Sequence, residues 1–146
     1  MAAQGLQFTE IVGDVFTRDP SDSMATCVSN EFKMSKSLAK QFKDTFAGVD
    51  ELKAQNKSTG EVAVLYRNGT YIYHLITKER VFHRPTTETL RSCLVAMREL
   101  CRQNNITSLA MPRIGCGLDK LNWSEVSEII KDVFKNTGMT IKIYRL

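Results

Sequence analysis

The sequence is most informative in the run Ser108-Leu-Ala-Met-Pro-Arg-Ile-Gly-Cys-Gly-Leu-Asp-Lys-Leu-Asn-Trp123. Its apolar start predicts a buried strand that ends at Pro112, because proline cannot donate a hydrogen bond to a neighbouring strand. Gly115 and Gly117 then predict a loop, and Asn122 is typical of a helix N-cap. Together these features favour phosphate binding, because backbone N–H groups can approach the anion and the helix end carries partial positive charge. A purely conformational role for the two glycines is the alternative.

The rest of the chain alternates between strand and helix patterns. Apolar or alternating runs predict further strands, at Gln7–Val12, Ser23–Ser29, Val62–Tyr66, Thr70–Thr77 and Thr140–Tyr144. Asn68-Gly69 predicts a hairpin with a primed turn between two of these strands. Apolar residues at spacings of three and four predict helices, over Met34–Phe46, after a cap at Thr86 or Thr87, and from Trp123 until Gly138, with a shorter helix over Val49–Asn56.

This order of elements predicts an α/β fold. A hairpin among helix-connected strands favours a mixed central sheet with helices on both faces, a three-layer α/β/α arrangement. Ligands of such sheets bind at the carboxyl ends of the strands. We therefore expect residues 13–14, 29–30, 77–78 and 113–119 to lie near one another. A length of 146 residues predicts one domain, spanning 1–146.

The composition, with 42% hydrophobic and 25% charged residues, is typical of a soluble globular domain. The N-terminus shows no signal-peptide pattern and no apolar segment is long enough for a membrane span, so we expect a protein that is not secreted. The cysteines at 27, 93, 101 and 116 form no Cys-x-x-Cys pair, and we expect no metal or cofactor. A net charge of +4 favours anionic partners mildly.

Several side chains are candidates for chemistry, each with a structural alternative. Lys78 ends an apolar run and either emerges into solvent or is a desolvated amine, whose pKa would be lowered and which would be nucleophilic. Asp119 either caps a helix or handles a proton beside the glycine loop. Asp14 either closes a turn or accepts a hydrogen bond from an amino group such as that of adenine. We interpret Cys116 as a loop-packing residue and His74 as a core histidine.

Five segments taken together resemble the macrodomain family. They are Val12-Gly-Asp-Val-Phe16, Ala25-Thr-Cys-Val-Ser29, Gly60-Glu-Val-Ala-Val-Leu65, Tyr71-Ile-Tyr-His-Leu-Ile-Thr-Lys78 and Met111-Pro-Arg-Ile-Gly-Cys-Gly-Leu-Asp119. The resemblance runs in register over almost the whole chain. Thr77-Lys78 combined with Gly117-Leu118-Asp119 resembles, more narrowly, the branch of terminal ADP-ribose protein glycohydrolases, which are also described as O-acyl-ADP-ribose deacylases. The resemblance implies a three-layer macrodomain.

The resemblance also implies an activity, the hydrolysis of ADP-ribose that is ester-linked to glutamate or aspartate side chains. Lys78 falls on the family's nucleophile, which attacks the anomeric carbon of the distal ribose, and Asp119 falls on the residue that assists and resolves the adduct. Asp14 falls on the residue that meets the adenine. The other ligand-binding positions that the resemblance implies are Val15, Ser29, Met34, Ser35, Ser37, Pro112, Arg113, Ile114, Gly115, Cys116, Gly117 and Leu118.

The sequence departs from the family after the second strand. There the family has Gly-Ala-Gly, and this chain has Ser35-Lys36-Ser37. Because glycine allows a close backbone approach to the ligand, side chains here change the pocket wall. The alternative function is therefore an ADP-ribose-binding module without catalysis. The expected partners are ADP-ribose and ADP-ribosylated proteins, with weak poly(ADP-ribose) or RNA association and no membrane, for a nuclear and/or cytoplasmic monomer.

Overall fold

The computed structural model describes residues 5–34, 37–80, 82–115 and 121–146, with only the backbone for Ser37. Six strands lie within them: β1 (Gln7–Val12), β2 (Ser23–Ser29), β3 (Val62–Arg67), β4 (Thr70–Lys78), β5 (Ser108–Pro112) and β6 (Thr140–Arg145). The helices are α1 (Ser37–Phe46), α2 (Val49–Lys53), α3 (Thr87–Gln103) and α4 (Trp123–Phe134), and a short 3-10 helix spans Val15–Thr17. The predicted order of strands and helices is confirmed.

The strands form one sheet in the order β1-β6-β5-β2-β4-β3. All neighbouring pairs are parallel except β3 and β4, which form the predicted antiparallel hairpin. Asn68 and Gly69 both have positive φ, 52° and 81°, as a type I′ turn requires. The predicted mixed sheet is therefore confirmed, with its antiparallel strand at one edge.

Helices cover both faces of the sheet, which confirms the three layers. One core contains the buried stripe of α3, which includes Leu94 and Met97, and that of α4, which includes Ile130. The core on the opposite face contains Phe42 of α1 and Leu52 of α2. β4 contributes to both, because alternate residues of a strand point to opposite faces: Tyr73 and Leu75 lie in the first core, and Ile72 and Ile76 in the second.

Both predicted helix caps are present. The Thr86 side chain accepts a hydrogen bond from the Thr89 backbone N–H, and the Thr89 hydroxyl oxygen accepts one from the Thr86 backbone N–H. The Asn122 side chain accepts from the N–H groups of Ser124 and Glu125 at the start of α4. These bonds satisfy donors that have no partner inside the helix, so each helix begins where the sequence predicts.

Three predicted helix boundaries are wrong. α1 begins at Ser37 rather than Met34, since Met34 has a left-handed backbone with φ 46°. α2 ends at Lys53 rather than Asn56, where φ is again positive at 53°. α4 ends at Phe134 because ψ of Lys135 is 145°, and Gly138 instead lies in the turn before β6. Before α1 the apolar periodicity extends past the helix because Met34, in the preceding loop, also packs on the core. Within the described residues, no helix has the length and apolar character that a bilayer crossing requires.

Candidate active site at the carboxyl edge of the sheet

Four strand ends bring the described candidate residues to one edge of the sheet. β1, β5, β2 and β4 run in the same direction, so their carboxyl ends meet at the same edge. Asp14 lies two residues beyond β1, and Arg113 directly follows β5. Ser29 and Lys78 are the last residues of the neighbouring strands β2 and β4. The predicted positions Ser35, Cys116, Gly117, Leu118 and Asp119, and the side chain of Ser37, lie outside the described residues.

A bulge separates the ends of β2 and β4 from the regular ladder. Val28 is the register partner of Ile76, whereas Ser29 is the partner of Lys78, so Thr77 has no partner on β2. Thr77 is only 2% exposed, and its hydroxyl has no hydrogen-bond partner among the described residues. The Thr77 carbonyl instead accepts from the hydroxyl of Thr89 in α3, at 2.9 Å. Bulges near sites redirect the residues around them.

Lys78 is half-buried, and the backbone around it is held on both sides. Its carbonyl accepts a hydrogen bond from the Asn30 N–H at 2.8 Å. The next residue, Glu79, accepts from the Thr59 hydroxyl at 2.7 Å and from the Asn30 side chain at 3.5 Å. These two hydrogen bonds, Thr59 first, hold the pKa of the Glu79 carboxyl below its usual value. No local pattern indicates these contacts of Glu79, because its partners Thr59 and Asn30 lie 20 and 49 residues away in the chain.

Asp14 closes a turn, as one of the two interpretations of this residue proposed. Its Oδ1 accepts from the Phe16 N–H at 2.9 Å and begins the 3-10 helix. Among the described residues, its second carboxylate oxygen, Oδ2, makes no hydrogen bond, so the turn leaves an acceptor for a ligand. Val15 is 3% exposed, and the Phe16 ring lies 4.8 Å from the Phe42 ring. The segment is thus anchored by packing on α1 while the Asp14 carboxylate stays half-buried.

Gly115, three residues after β5, has a backbone conformation and a close neighbour that both favour glycine. Gly115 has φ +75°, and a Cβ at this position would lie 2.8 Å from Cδ1 of Leu121. The Leu121 N–H donates to the Gly115 carbonyl at 2.7 Å, which brings the two ends of the loop together just before α4. Pro112 and Ile114 are buried, so this segment offers backbone rather than side-chain groups to a ligand.

The Arg113 side chain is directed to β1. Its guanidinium donates to Glu10 at 2.9 Å and lies over the Trp123 ring, 5.3 Å from the centroid. Trp123 Nε1–H donates to the same Glu10 oxygen at 3.2 Å. The Arg113 hydrogen bond is the largest of the effects that lower the pKa of Glu10. Arg113 thereby ties the predicted phosphate loop to β1 and α4, a contact that sequence spacing could not reveal.

The loop after β2 is also strained. Phe32 and Met34 both have left-handed backbones, with φ 53° and 46°, and both are buried in the core beneath α1. Non-glycine residues adopt this region only when packing demands it. Ser29 itself is 5% exposed, and its carbonyl accepts from the Phe32 N–H at 3.0 Å. The loop therefore leaves β2 in a sharp turn beside Lys78.

Three other reactive side chains, His74, Cys93 and Cys101, lie in the core. His74 is 1% exposed, with ring Nδ1 3.1 Å from the Ile72 carbonyl, and burial lowers its pKa to about 4. This confirms the core-histidine interpretation. Burial raises the pKa of the Cys93 and Cys101 thiols to about 12, so neither is a thiolate near neutral pH. In the part of the chain that the structure describes, no cluster of three or more His, Cys, Asp or Glu side chains forms a metal site.

Comparison with known proteins agrees with this architecture. Residues 23–130 match the Macro domain family. The chain is 49% identical over 144 residues to the ADP-ribose glycohydrolase OARD1 of Bos taurus, covering 99% of this chain and 95% of that protein. The macrodomain of Mycobacterium tuberculosis DarG has a TM-score of 0.87 at 21% identity, covering 97% and 99%. Thermosipho africanus DarTG, solved in complex with ADP-ribose, has a TM-score of 0.82 at 22% identity, covering 94% of this chain and 41% of that one. A family match over most of the sheet and a full-length relative of this identity show that the chain belongs to the macrodomain family.

Proposed function

We propose that this protein hydrolyses the ester bond between ADP-ribose and the glutamate or aspartate side chains of modified proteins. The observation that carries the proposal is the position of Lys78, half-buried at the end of a central strand and adjacent in register to Ser29. The similarity of the whole chain to a protein named ADP-ribose glycohydrolase supports the same activity. The same site is proposed to accept O-acyl-ADP-ribose.

In the proposed mechanism, ADP-ribose lies along the carboxyl edge of the sheet. Adenine contacts Asp14 and Val15, and the diphosphate accepts hydrogen bonds from loop amides around Gly115. The distal ribose then lies beside Ser29 and Lys78. This order follows the strand order, because β1, β5, β2 and β4 succeed one another across the sheet. Holding the distal ribose beside the amine turns a bimolecular attack into an effectively intramolecular one.

The proposed chemistry has two steps. In the first, the neutral amine of Lys78 attacks the anomeric carbon, the bond to the acceptor carboxylate breaks, and the released carboxylate leaves with its electron pair. Asp119 accepts the proton that the amine loses. In the second, Asp119 returns that proton to the Lys78 nitrogen as the bond between this nitrogen and the anomeric carbon breaks, and water attacks the same carbon. The Asp119 carboxylate takes the proton that the attacking water loses, and this proton then passes to solvent. A carboxylate is a good leaving group, so the ester needs less acid assistance than other glycosidic bonds.

The activity is tested with protein that carries glutamate-linked ADP-ribose. We expect wild type and the control variant Lys135→Ala, a 69% exposed lysine after α4, to release ADP-ribose at equal rates. Lys78→Ala and Asp119→Ala should each release ADP-ribose at least about a hundredfold more slowly than wild type. Equal release by all four proteins would overturn the mechanism. Calorimetric binding of ADP-ribose without turnover by wild type would support the binding-module alternative, which the Ser35-Lys36-Ser37 loop motivates.

The proposal extends to the whole chain and its setting. Residues 1–146 are proposed as a single macrodomain, because β1 and β6, which lie outside the family match, complete the same sheet. We propose a monomer that works in the nucleus and/or cytoplasm, with weak association with poly(ADP-ribose) or RNA through its net charge of +4. An electrostatic association must weaken as salt rises. Salt-independent binding would exclude it.

A further inference from the structure

A second depression lies beyond Lys78, on the side away from the loop at Gly115. It has a volume of about 350 Å³ and lies between the end of β4, the turn before β3 and the start of α3. Ligand pockets range over roughly 300–1,000 Å³, so this one suits one or two side chains rather than a nucleotide. Among the described residues that the sequence predicts to bind ADP-ribose, only Lys78 lines it. Lys78 therefore lies at the boundary between two compartments.

The position of the depression matches the chemical order of an ADP-ribosylated protein. Across the sheet, β1 carries Asp14, β5 leads to Gly115, and β2 and β4 end at Ser29 and Lys78. The depression follows next, at the β4–β3 end of the sheet. In the substrate, adenine, diphosphate, distal ribose and acceptor side chain succeed one another in the same way. The group attached to the anomeric carbon thus points to this depression.

The wall of the depression is chemically suited to carboxylates. Arg84 and His83 line it together with Lys78, and both are exposed to solvent. No ion pair between described residues involves Arg84, so its charge is available to a ligand. Among the described residues of the wall, Glu79 is the one carboxylate, and its charge is outnumbered by those of Lys78 and Arg84. The local charge therefore favours an anion.

Two further features point to a polar occupant. Thr86 and Thr89 place the N-terminus of the 17-residue helix α3 in the wall, where the helix dipole stabilises negative charge. Thr77 also forms part of the wall, and no residue that the structure describes forms a hydrogen bond with its buried hydroxyl. Buried polar groups almost always have partners, and those that lack one are frequently found where a ligand or water completes the site.

We infer that this depression binds the acceptor side of the substrate, namely the aspartate or glutamate that is released and the acidic residues that flank it. The inference rests on the proposed function, since it takes Lys78 as the group that attacks the anomeric carbon. Arg84 and His83 would make charge-assisted contacts to flanking carboxylates, and the N-terminus of α3 would stabilise the carboxylate as it leaves. The enzyme would accordingly prefer ADP-ribose esters within acidic segments.

The test compares two glutamate-linked ADP-ribosyl peptides of equal length, one with acidic and one with neutral flanking residues. We expect wild type to have the higher kcat/KM on the acidic peptide. Arg84→Ala should reduce that preference about threefold, and Arg84→Glu should reverse it, mainly through KM. The control Arg102→Ala removes another exposed arginine, at the far end of α3, and should leave the preference unchanged. Calorimetric binding of free ADP-ribose should be the same for all four proteins.

A second measurement separates this inference from the proposed activity. Fluorescence anisotropy of a labelled, unmodified acidic peptide reports binding to the depression even without turnover. Binding that Arg84→Glu abolishes and Arg102→Ala preserves would support the inference even if no ester were cleaved. Equal kcat/KM for the two peptides, or Arg84 variants that behave like wild type on the acidic peptide, would overturn it. If the Arg84 variants lost affinity for free ADP-ribose as strongly as they lost affinity for the acidic peptide, the inference would also be overturned. Arg84 would then belong to the nucleotide site. The Tm of Arg84→Ala and of Arg84→Glu should equal that of wild type, since Arg84 is exposed.

Discussion

Ser29 and Lys78 end adjacent parallel strands as register partners, and the residue before Lys78, Thr77, is left without a partner on β2. The bulge turns the last residue of the central strand away from the regular alternation of the sheet. It also leaves the Thr77 hydroxyl buried and unbonded. A feature that costs stability in this way at a strand end is typical of a functional edge.

Thr77→Val should therefore stabilise the folded protein. Valine has nearly the same shape and removes a buried hydroxyl that has no partner, so we expect the free energy of unfolding to rise by about 1 kcal/mol in urea denaturation. Thr89→Val is the matched control with the opposite sign, because the Thr89 hydroxyl donates to the Thr77 carbonyl and bonds the Thr86 N–H. The free energy of unfolding of Thr89→Val should fall by about 1–2 kcal/mol. A destabilised Thr77→Val protein would show that the hydroxyl does have a partner.

Glu79 should act as a positioning residue for Lys78. Its carboxylate holds Thr59 and the Asn30 side chain, and Asn30 in turn donates to the Lys78 carbonyl. Glu79→Gln should lower kcat for ester release by about three- to tenfold, because a small displacement of the amine slows its attack. The Kd for ADP-ribose should not change. Glu128→Gln, which changes an exposed carboxylate on α4, is the control and should leave both kcat and the Kd for ADP-ribose unchanged. If Glu79→Gln weakened ADP-ribose binding instead, a positioning role would be wrong.

Gly115→Ala should weaken ADP-ribose binding and destabilise the fold. The added Cβ would lie 2.8 Å from Leu121 Cδ1, at a residue whose φ is +75°. We expect a loss of about 2 kcal/mol in unfolding free energy, from backbone strain plus displacement of Leu121. Gly69→Ala is the control, with φ +81° but no atom within 4 Å. The free energy of unfolding of Gly69→Ala should fall by only about 1 kcal/mol, and its Kd for ADP-ribose should equal that of wild type. Equal ADP-ribose affinity in the two variants would exclude the Gly115 segment from the binding site.

His74 should make the folded state less stable as the pH falls from about 6.5 to 4. Its folded pKa is lowered to about 4 by burial, whereas an unfolded histidine titrates near 6.5. Above pH 6.5 the ring is neutral in both states; below it only the unfolded state gains the proton, and the loss reaches about 3 kcal/mol near pH 4. Urea unfolding at several pH values measures the slope. His74→Leu should reduce this slope by an amount that corresponds to about one proton per molecule. An unchanged slope in His74→Leu would contradict the assignment.

The sequence by itself determined the elements and their order. The strand patterns at Gln7–Val12 and Ser23–Ser29, the Asn68-Gly69 turn and the caps at Thr86 and Asn122 are local signals. Each depends on residues within a few positions of one another. Helix ends were less predictable. Phe32 and Met34 lie in a loop but are buried like helix residues, and apolar spacing cannot distinguish the two cases.

Tertiary structure alone decided the partners at the site. The bulge at Thr77, the contact of Glu79 with Thr59, and the Arg113–Glu10–Trp123 cluster all join segments that are distant in the chain. Their formation depends on strand order and register, which follow from how the two apolar faces of the sheet are covered rather than from any local pattern. The depression beyond Lys78 arises for the same reason. Lys78 could be singled out from the sequence, but the depression beside it required the packing of α3 against β4.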